Sequence, residues 1–376
     1  MELTNTEERK FDEYRSVDAA PKVSSKEDTT RVSIILIDYN EFSNLQRALP
    51  SIFSMNTSED VEVIVVDNGS TDGSVEYIHS HFQDVKIVPA GKNLGYSGAN
   101  NLGAKIAQGE YLIFLNPDTT VTEGWISNML DALKTHPNAG MVTPKILMMG
   151  QERINTCGND VHFTGYGYLR GWMAAADSMN TVEDVFSISG CSFMIRKQLF
   201  DQLGGFDEAF YPIYVEDTDL SWRARLAGYD CLYVPDSVIY HDYTMGFGSE
   251  KYFRLERNRY QMLIKNLHWG TLFLLLPSLL LSEVVSWGYV ILRGAAYARS
   301  KLRSYAWLIG HLGEILRARQ GVQALRQRKD IDILRKCTYH LAYDQANDGF
   351  VGKVAQHVFD PLFHILHRFY LAVISW

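Results

Sequence analysis

Cysteine is scarce in this 376-residue chain, and the four cysteines are far apart. Cys157, Cys191, Cys231 and Cys337 have neither the spacing of a metal site nor the density of a disulfide framework, so a reducing compartment is expected. The amino terminus also lacks a positive stretch followed by an apolar core, which argues against a secretory signal. Residues 1–30 are polar, charged and aperiodic, and we interpret them as a flexible tail.

Signatures of nucleic-acid binding are missing as well. No helix-turn-helix, zinc-finger or aromatic-sheet pattern accompanies the basic residues, so nucleic acid is disfavoured as a partner. No internal repeat or low-complexity segment is present. What remains is a chain that is 46% apolar, longer than one ordinary domain, and able to bury a substantial core.

Apolar runs alternate with amphipathic segments in the first part of the chain. Four runs are typical of buried parallel strands: Val32–Ile37, Val61–Val66, Val85–Pro89 and Tyr111–Leu115. Three segments between them predict helices: Glu41–Phe53, Thr71–Phe82 and Asn100–Gln108. This alternation predicts a doubly wound α/β domain.

The segment Asn116-Pro117-Asp118 follows the fourth run. A carboxylate just past the carboxyl end of a buried strand lies where open α/β sheets bind ligands, and where a divalent cation can be held against a diphosphate. Asn-Pro-Asp is also an ordinary turn-forming tripeptide, so alone it is a weak signal. Asp38 and Asp67 end the first two runs in the same way, and together the acids point toward a nucleotide-sugar enzyme.

Five motifs occur in a fixed order along the chain: Val66-Asp67-Asn68-Gly69-Ser70-Thr71-Asp72-Gly73, Asn93-Leu94-Gly95, Asn116-Pro117-Asp118, Gly204-Gly205-Phe206-Asp207-Glu208 and Glu216-Asp217-Thr218-Asp219-Leu220. In this order they resemble family 2 glycosyltransferases over about Arg31 to Ser249, most of all the subgroup with bacterial rhamnosyltransferases. The resemblance implies a GT-A-like, doubly wound, mostly parallel α/β catalytic domain at 31–250. A helical, membrane-associated region is expected at 251–376.

The resemblance assigns nucleotide binding to six positions: Asp38, Asn40, Asp67, Asn93, Gly95 and Asn116. Asp67 can accept a hydrogen bond from the imide N–H of uracil or thymine, with helix capping as its structural alternative. Asp38 departs from the family pattern, in which Thr or Val is more common, so its contact with the nucleotide stays open. The resemblance makes Asp118 and His241 ligands of Mg²⁺ or Mn²⁺, and a histidine ligand favours Mn²⁺.

Glu216, Asp217 and Asp219 place three carboxylates within four positions, at the start of a predicted helix. Like charges this close raise at least one pKa, which suits a general base, but a helix N-terminus also attracts acids. The resemblance makes Asp217, beside Glu216, the base of an inverting displacement. Five positions are expected on the acceptor side: Gly190, Cys191, Gly205, Asp219 and Trp125. Trp172 is a second candidate sugar platform.

The two parts of the chain carry opposite charge. From Lys251 onward there are 18 Lys+Arg and 8 Asp+Glu, a balance of +10; subtraction from totals of 36 and 44 leaves 18 and 36, or −18, before it. Within the basic part, Leu272–Leu292 is apolar apart from Pro277 and Glu283, and is long enough to just cross a bilayer. It could be a spanning helix, a bent pair of helices in the membrane interface, or a soluble hairpin packed on the catalytic domain or in a homodimer. We expect the segment to insert into the membrane interface as a bent pair of helices.

Two further segments suit a membrane surface: the basic stretch Arg317–Lys336 and the amphipathic, aromatic-rich stretch Val358–Trp376. The expected function is transfer of a sugar, such as L-rhamnose from dTDP-rhamnose or another dTDP- or UDP-sugar, to a polyprenyl-diphosphate-linked saccharide in polysaccharide or O-antigen synthesis. The expected place is the cytoplasmic face of a bacterial inner membrane. A polyprenyl-phosphate sugar synthase and a non-catalytic membrane scaffold are the alternatives. Processive synthases are disfavoured because their Gln-x-x-Arg-Trp motif is missing.

Overall fold

The computed structural model describes residues 31–244, 246–346 and 350–376, so the expected tail at 1–30 lies outside the described residues. The strands are β1 (Arg31–Asp38), β2 (Asp60–Asp67), β3 (Lys86–Pro89), β4 (Tyr111–Leu115), β5 (Thr119–Val121), β6 (Ala139–Met148), β7 (Ile154–Thr156), β8 (Asn159–Val161), β9 (Gly167–Leu169), β10 (Glu183–Asp184), β11 (Ser192–Arg196) and β12 (Asp230–His241).

The helices fall into two groups, one interleaved with the strands and one after them. The first group is α1 (Phe42–Phe53), α2 (Ser74–His81), α3 (Gly95–Ile106), α4 (Trp125–Thr135), α5 (Lys197–Gln202) and α6 (Glu216–Leu226). The second group is α7 (Ser249–Asn266), α8 (Trp269–Leu274), α9 (Leu276–Arg293), α10 (Ala295–Gly310), α11 (Leu312–Ala324), α12 (Asp330–Leu334), α13 (Tyr343–Ala346) and α14 (Phe350–Val373). We call residues 31–248 the sheet domain and residues 249–376 the helical region.

Most of the described strands form one mixed sheet with the order β10-β12-β6-β11-β4-β1-β2-β3, in which β5 also pairs with β12 and β7 with β6. Strand β1 runs parallel to β2 and β4, with Ile35 opposite Ile64 and Phe114. Strand β11 is antiparallel to β4 and β6, so it separates two parallel groups. The predicted α/β fold with a mostly parallel sheet is confirmed.

The central strands are buried on both faces because alternate side chains point to opposite sides of the sheet. On β1, Ile34 and Leu36 join an apolar layer that includes Trp125 of α4. Ile35 joins the layer on the other face, together with Phe114. This two-sided burial explains why the strands appear in the sequence as continuous apolar runs.

A third apolar cluster joins the sheet domain to the helical region. Phe210 and Trp222 from the sheet domain share this cluster with Leu263 of α7 and with Phe363 and Tyr370 of α14. Burying aromatic rings of this size contributes roughly 2 kcal/mol or more each. The helices are therefore packed into the sheet domain through a common core.

The apolar segment Leu272–Leu292 forms α8 and most of α9, and Pro277 lies in the first turn of α9. The expected interruption is thus a helix start, where proline is tolerated. Insertion into the membrane interface would keep Glu283 near water, but Glu283 lies inside the helical region, 3.3 Å from Arg259 and 2.9 Å from Lys301. Among the helices of the described residues, none combines the length and apolar character needed to cross a bilayer.

The basic stretch Arg317–Lys336 also differs from expectation, because two of its arginines point into the protein. Arg319 donates hydrogen bonds of 2.5 Å to the carbonyl oxygen of Leu267 at the end of α7. Arg326 donates to the carbonyl of Asn266 at 2.6 Å. These guanidinium groups cap the carboxyl end of α7, where carbonyl groups lack partners. Much of the positive charge of this stretch therefore serves folding.

Candidate active site

A cavity of about 700 Å³ lies beyond the carboxyl ends of β4 and β12. The sheet domain contributes residues that the motifs had singled out: Asn116, Asp118, Gly190, Cys191, Glu216, Asp217 and His241. The helical region closes the far side with Lys251, Tyr252, Glu256, Arg259, Ser286 and Tyr343. Two predicted groups of acids, far apart in the sequence, thus share one cleft whose wall comes from both parts of the molecule.

Asp118 and His241 meet on one side of this cavity. Asp118 follows β4, and His241 is the last residue of β12, whose pairing with β5 brings His241 opposite Thr119. His241 Nε2 lies 3.2 Å from Asp118 Oδ1. Burial alone would lower the pKa of His241, but the sulfur of Cys191 and the carboxylate of Asp118 raise it to about 10. The Asp118 carboxylate therefore stabilises the protonated imidazole, and a divalent cation bound here would replace the proton on Nε2.

The imidazole of His241 is oriented by Asn155, which the motifs did not reveal. Nδ1 of His241 lies 3.0 Å from the amide oxygen of Asn155, an arrangement that leaves Nε2 facing Asp118. Adjacent ligands of an octahedral Mg²⁺ ion are roughly 3 Å apart, since each lies about 2.1 Å from the metal. The observed separation of 3.2 Å fits this geometry. In the described residues no group of three or more His, Cys, Asp or Glu side chains could hold a metal, so further ligands would be phosphate oxygens and water.

Asp217 lies on another side of the same cavity, in the first turn of α6. Its Oδ2 accepts hydrogen bonds from the backbone N–H of Gly190 at 2.9 Å and from Asn159 Nδ2 at 3.2 Å. Its Oδ1 accepts the N–H of Thr218 at 2.7 Å. Gly190 allows this close approach, since a Cβ there would lie 3.3 Å from Asp217. The carboxylate is therefore held in one orientation from both ends.

Glu216 and Asp217 both have raised pKa values. Burial raises the pKa of Glu216 well above the ordinary range, and the neighbouring Asp217 adds to the effect. Burial likewise raises the pKa of Asp217, against the lowering effect of the N–H groups of Gly190 and Thr218. Glu216 Oε2 is buried and has no hydrogen-bond partner among the described residues. Two acids with raised pKa values in a cavity can accept or hold a proton near neutral pH.

Two residues with left-handed backbone stand directly before Glu216. Tyr214 has φ 88° and Val215 has φ 76°, a conformation that costs a residue other than glycine on the order of 1–2 kcal/mol. Asn258, buried on α7, donates from Nδ2 to the carbonyl of Tyr214 at 2.7 Å. Arg257 Nε donates to Asn258 Oδ1 at 2.8 Å and so fixes the amide. The helical region thereby sets the position of the acidic pair.

The residues expected to bind the nucleotide lie in the loops that follow β1, β2 and β3. Asn40 and Asp67 accept hydrogen bonds of 2.8 Å from backbone N–H groups in the loop after β2. Asn93 Oδ1 accepts the N–H of Gly95 at 2.7 Å. Of the six expected positions, Asn116 lines the cavity, and the other five are not among its lining residues. Nucleotide contacts at Asn40, Asp67 and Asn93 stay predictions.

Two of the residues expected to bind the nucleotide make contacts within the protein. Asp38 is fully buried, and its carboxylate accepts hydrogen bonds from Ser74 Oγ at 2.6 Å and from the N–H of Glu41 at 3.1 Å. It joins two loops instead of facing a ligand. Gly95 packs against the loop before α6, where a Cβ would lie 2.6 Å from the carbonyl oxygen of Pro212. Its smallness and its φ of +70° serve this contact.

Of the residues expected on the acceptor side, Gly190 and Cys191 line the cavity. Burial raises the pKa of the Cys191 thiol. Trp172 is half-buried, with its ring centroid 5.7 Å from that of Tyr243, a cavity residue. Contact of these residues with an acceptor stays a prediction.

The other three residues expected on the acceptor side belong to the interior, so their positions do not support direct contact with an acceptor. Trp125 is 0% exposed and packs under the sheet, out of reach of a sugar. Asp219 is also 0% exposed and forms ion pairs with Arg223 at 2.8 Å and Lys265 at 3.1 Å. Gly205 has φ +69° and abuts an asparagine of α3, where a Cβ would be 2.7 Å away. These residues support the site from behind.

Sequence reasoning missed the whole far wall of the cavity. Tyr252, Glu256 and Arg259 of α7 and Tyr343 of α13 line it, yet they belong to no motif. Polar residues at intervals of three and four in an otherwise amphipathic helix were the one available signal. Such spacing is equally typical of a solvated helix face, so it could not identify these residues as cavity lining.

The mixed, mostly parallel sheet, with the Asp118–His241 pair and the Glu216–Asp217 pair at one cleft, agrees with the GT-A-like fold that the motifs imply. Residues 33–204, somewhat under half of the chain, match the family described as "Glycosyl transferase family 2". This match lies within the sheet domain and agrees with the resemblance to family 2 glycosyltransferases that the motifs carry.

Curated relatives are similar over the same part of the chain. An N-acetylglucosaminyl-diphospho-decaprenol L-rhamnosyltransferase of Mycobacterium tuberculosis is 29% identical over 236 residues, which cover 57% of this chain and 76% of the relative. A poly-beta-1,6-N-acetyl-D-glucosamine synthase of Staphylococcus epidermidis is 27% identical over 210 residues, covering 55% of this chain and 48% of the relative. The chain thus spans about half the length of the second relative.

Solved structures support the fold. S. aureus TarS 1-349 has a TM-score of 0.50 at 15% identity, with 91% of each chain covered. GalNAc-T7 with UDP, GalNAc and Mn2+ has a TM-score of 0.52 at 17% identity, covering 64% of this chain and 48% of GalNAc-T7. At these identities the likeness concerns backbone architecture.

Proposed function

We propose that this protein is an inverting glycosyltransferase that moves a sugar from a nucleotide donor to a saccharide carried on a polyprenyl diphosphate. The observation that carries the proposal is that the Asp118–His241 pair and the Glu216–Asp217 pair face one cavity. The mycobacterial relative is named for an L-rhamnosyl donor and a diphospho-decaprenol acceptor, which supports L-rhamnose from dTDP-rhamnose in the present case. A UDP-sugar is the second donor class.

On the donor side, Asp118 and His241 would hold a Mg²⁺ or Mn²⁺ ion. Such an ion neutralises the charge that develops on a leaving nucleoside diphosphate. Asn155 keeps the imidazole of His241 oriented, and Asn116 lines the cavity next to it. These side chains would bind the diphosphate and present the anomeric carbon to the interior of the cavity.

On the acceptor side, Asp217 would remove the proton of the attacking hydroxyl. The new bond joins that oxygen to the anomeric carbon, the bond from this carbon to the donor phosphate oxygen breaks, and the proton stays on Asp217. A single displacement of this kind inverts the anomeric configuration. The N–H of Gly190 and the amide of Asn159 orient the carboxylate for this proton transfer.

Unsatisfied polar atoms in the cavity wall support a saccharide ligand. Asn155 Nδ2, Asn159 Oδ1 and Tyr343 Oη are buried and have no hydrogen-bond partner within the described ranges. Leaving such an atom unpaired costs about 1–3 kcal/mol. Hydroxyl groups of a sugar, which both donate and accept, would satisfy all three. All three residues line the cavity.

We further propose that the helical region rests on an anionic membrane surface, at the cytoplasmic face of the inner membrane. Its exposed large apolar side chains fall into two rows, one on α8 and α9 and one on α14: Trp269, Phe273, Leu276, Leu280, Val284 and Ile291, and Val358, Leu362, Ile365, Phe369 and Val373. Exposed Arg299, Lys353 and Arg368 lie on the same helices or the next one. Apolar rows with basic residues nearby are typical of interfacial helices. A homodimer interface is the competing occupant, and it would appear as a protein-concentration-dependent mass in solution.

The test of the catalytic proposal is the Asp217→Asn variant. Transfer to a lipid-linked saccharide should fall by roughly 10²–10⁴-fold, while binding of dTDP or UDP, followed by thermal shift with Mn²⁺, should remain. Full transfer activity in this variant would defeat the assignment of the base.

Product analysis compares lipid phosphate with lipid-linked saccharide as the acceptor. It separates the proposed function from a polyprenyl-phosphate sugar synthase, which needs no hydroxyl base. Any turnover of a nucleotide sugar excludes the non-catalytic scaffold.

A further inference from the structure

We propose that Lys251 is the anchor of a diphosphate-binding subsite contributed by the helical region. The ligand class is a diphosphate ester, and the inference rests on the proposed function, which brings two such esters to this cavity: the nucleotide donor and the polyprenyl-linked acceptor.

The position of Lys251 is the first observation. It lies in the first turn of α7 and lines the cavity, half-buried. Its Nζ is 5.1 Å from the ring centroid of Tyr214 and 5.9 Å from that of Phe247. These rings shield the ammonium group from part of the solvent without neutralising it. Tyr214 directly precedes Val215 and the acidic pair, so the cation stands on the catalytic side of the cavity.

The charge balance of the cavity wall is the second observation. The other cations there are already engaged: Arg259 lies 3.1 Å from Glu256 and 3.3 Å from Glu283, and His241 faces Asp118. Lys251 forms no ion pair with a carboxylate in the described part of the chain. A half-buried ammonium without a counter-charge loses solvation, and burial accordingly lowers the pKa of Lys251. An anionic ligand would supply the counter-charge that this ammonium group lacks.

The backbone around Lys251 favours an anion as well. Helix α7 is 18 residues long, and its N-cap Gly248 offers no side-chain acceptor to the first N–H groups. Lys251 lies in the first turn, so its ammonium group and the positive end of the helix macrodipole belong to the same end of α7. A carboxylate of the protein could have filled this place, but Glu250 turns away to pair with Arg303 at the surface. A phosphate group can accept from both the ammonium and the backbone N–H groups.

The experiment compares Lys251→Gln with Lys251→Arg and with the exposed-lysine control Lys105→Gln, located on α3 outside the cavity. Calorimetry with Mn²⁺ present uses four probes: inorganic pyrophosphate, dTDP, farnesyl diphosphate and farnesyl monophosphate. Loss of one charge-assisted contact should weaken pyrophosphate binding about tenfold in Lys251→Gln. Lys251→Arg should retain binding within about threefold, and the control should match the parent protein. Thermal unfolding of each variant checks that the fold is intact.

The two sources of the diphosphate give different outcomes. If the donor occupies the subsite, dTDP binding weakens in Lys251→Gln and farnesyl diphosphate binding does not. If the acceptor occupies it, farnesyl diphosphate loses its advantage over farnesyl monophosphate while dTDP is unchanged. Unchanged binding of all diphosphates in a folded Lys251→Gln protein would overturn the subsite. Because binding is measured without turnover, this result is independent of the Asp217→Asn test of the proposed function.

Discussion

The sheet domain and the helical region treat buried glutamates in opposite ways. Glu216 of the sheet domain is 4% exposed and Glu256 of the helical region is 2% exposed, so both have left water almost completely. Burial raises the pKa of Glu216 well above its ordinary value, and Asp217 adds to this. Burial would do the same for Glu256, but Arg259 and Lys301 outweigh it and lower the pKa to about 2.

The difference lies in the counter-charge. Glu256 shares Lys301 with Glu283, so two acids of α7 and α9 meet a lysine of α10 and the guanidinium of Arg259. Glu216 has another acid as its neighbour and no cation among its contacts in the described residues. A paired carboxylate joins helices, whereas an unpaired one is available for proton transfer. Residue type and burial alone do not distinguish these two roles.

We expect the largest loss of stability from Lys301→Met, which removes a cation paired with Glu256 and Glu283. Glu256 and Glu283 would keep only Arg259 to share, and loss of one partner of a buried ion pair costs about 3–5 kcal/mol. Urea unfolding at pH 7 measures the change. Arg303→Gln on the same helix is the control, because its pair with Glu250 is 54% and 57% exposed and contributes less than about 1 kcal/mol. Equal losses of unfolding free energy in the two variants would contradict the role of Lys301 as a buried counter-charge.

A second variant, Asn258→Ala, tests whether the helical region positions the unpaired acids. Without the amide, the left-handed segment at Tyr214 and Val215 can relax, and a shift of about 1 Å at a catalytic group lowers kcat up to roughly 10²-fold. The KM for the donor should not change, and the pH profile of kcat should shift, which a purely structural loss would not cause. Asn128→Ala removes a comparable amide bond, to the carbonyl of Asp236 at 2.6 Å, away from the cavity. A similar fall in kcat in both variants would refute the positioning role.

Glu216→Gln should sharpen the comparison through its pH dependence. A carboxyl with a raised folded pKa favours folding below the unfolded value of about 4.3 and loses this contribution as pH rises. The neutral amide should therefore stabilise the fold on the order of 1–2 kcal/mol at pH 8 and not at pH 4.

Glu256 has a folded pKa of about 2. It therefore stabilises the fold at pH values above the unfolded pKa, and this stabilisation is lost as the pH falls toward 2. Glu256→Gln should thus destabilise at pH 8.

Unfolding curves at pH 4 and pH 8 measure both variants, with the exposed Glu314→Gln as control. At pH 8 we expect the free energy of unfolding to rise in Glu216→Gln and to fall in Glu256→Gln. The same sign for both would mean that the counter-charge does not separate the two regions.

The smallest effect on stability is expected on the outer face of the helical region. Ile291 is 75% and Ile365 is 66% exposed, so replacing both with Ser should change the free energy of unfolding by less than about 0.5 kcal/mol. Binding to vesicles with anionic lipid should nevertheless weaken several-fold, because apolar contact with the bilayer is lost. Vesicle flotation of the double variant measures this binding, and the parent protein is the reference. Unchanged flotation would remove the support for membrane contact.

The buried strands in the first part of the chain and the chemistry of their carboxyl ends were readable from the sequence. Val32–Ile37 and Tyr111–Leu115 are central strands, and Asp118 and His241 meet as expected because parallel strands collect their carboxyl ends at one edge. Two residues that are close together in one motif did not necessarily face the same cavity. Asp219, two residues after Asp217, turns inward to Arg223 and Lys265, since successive positions on a helix face different directions.

The sequence by itself determined the α/β alternation, the resemblance to a family, and the Asp118–His241 and Glu216–Asp217 pairs, because these depend on local periodicity and on short motifs. Only the tertiary structure decided that Glu283 belongs to an internal ion network, that Trp125 is core, and that α7 closes the cavity. The physical reason is that a charge or a ring acquires its role from neighbours distant in the chain, and these neighbours are set by packing.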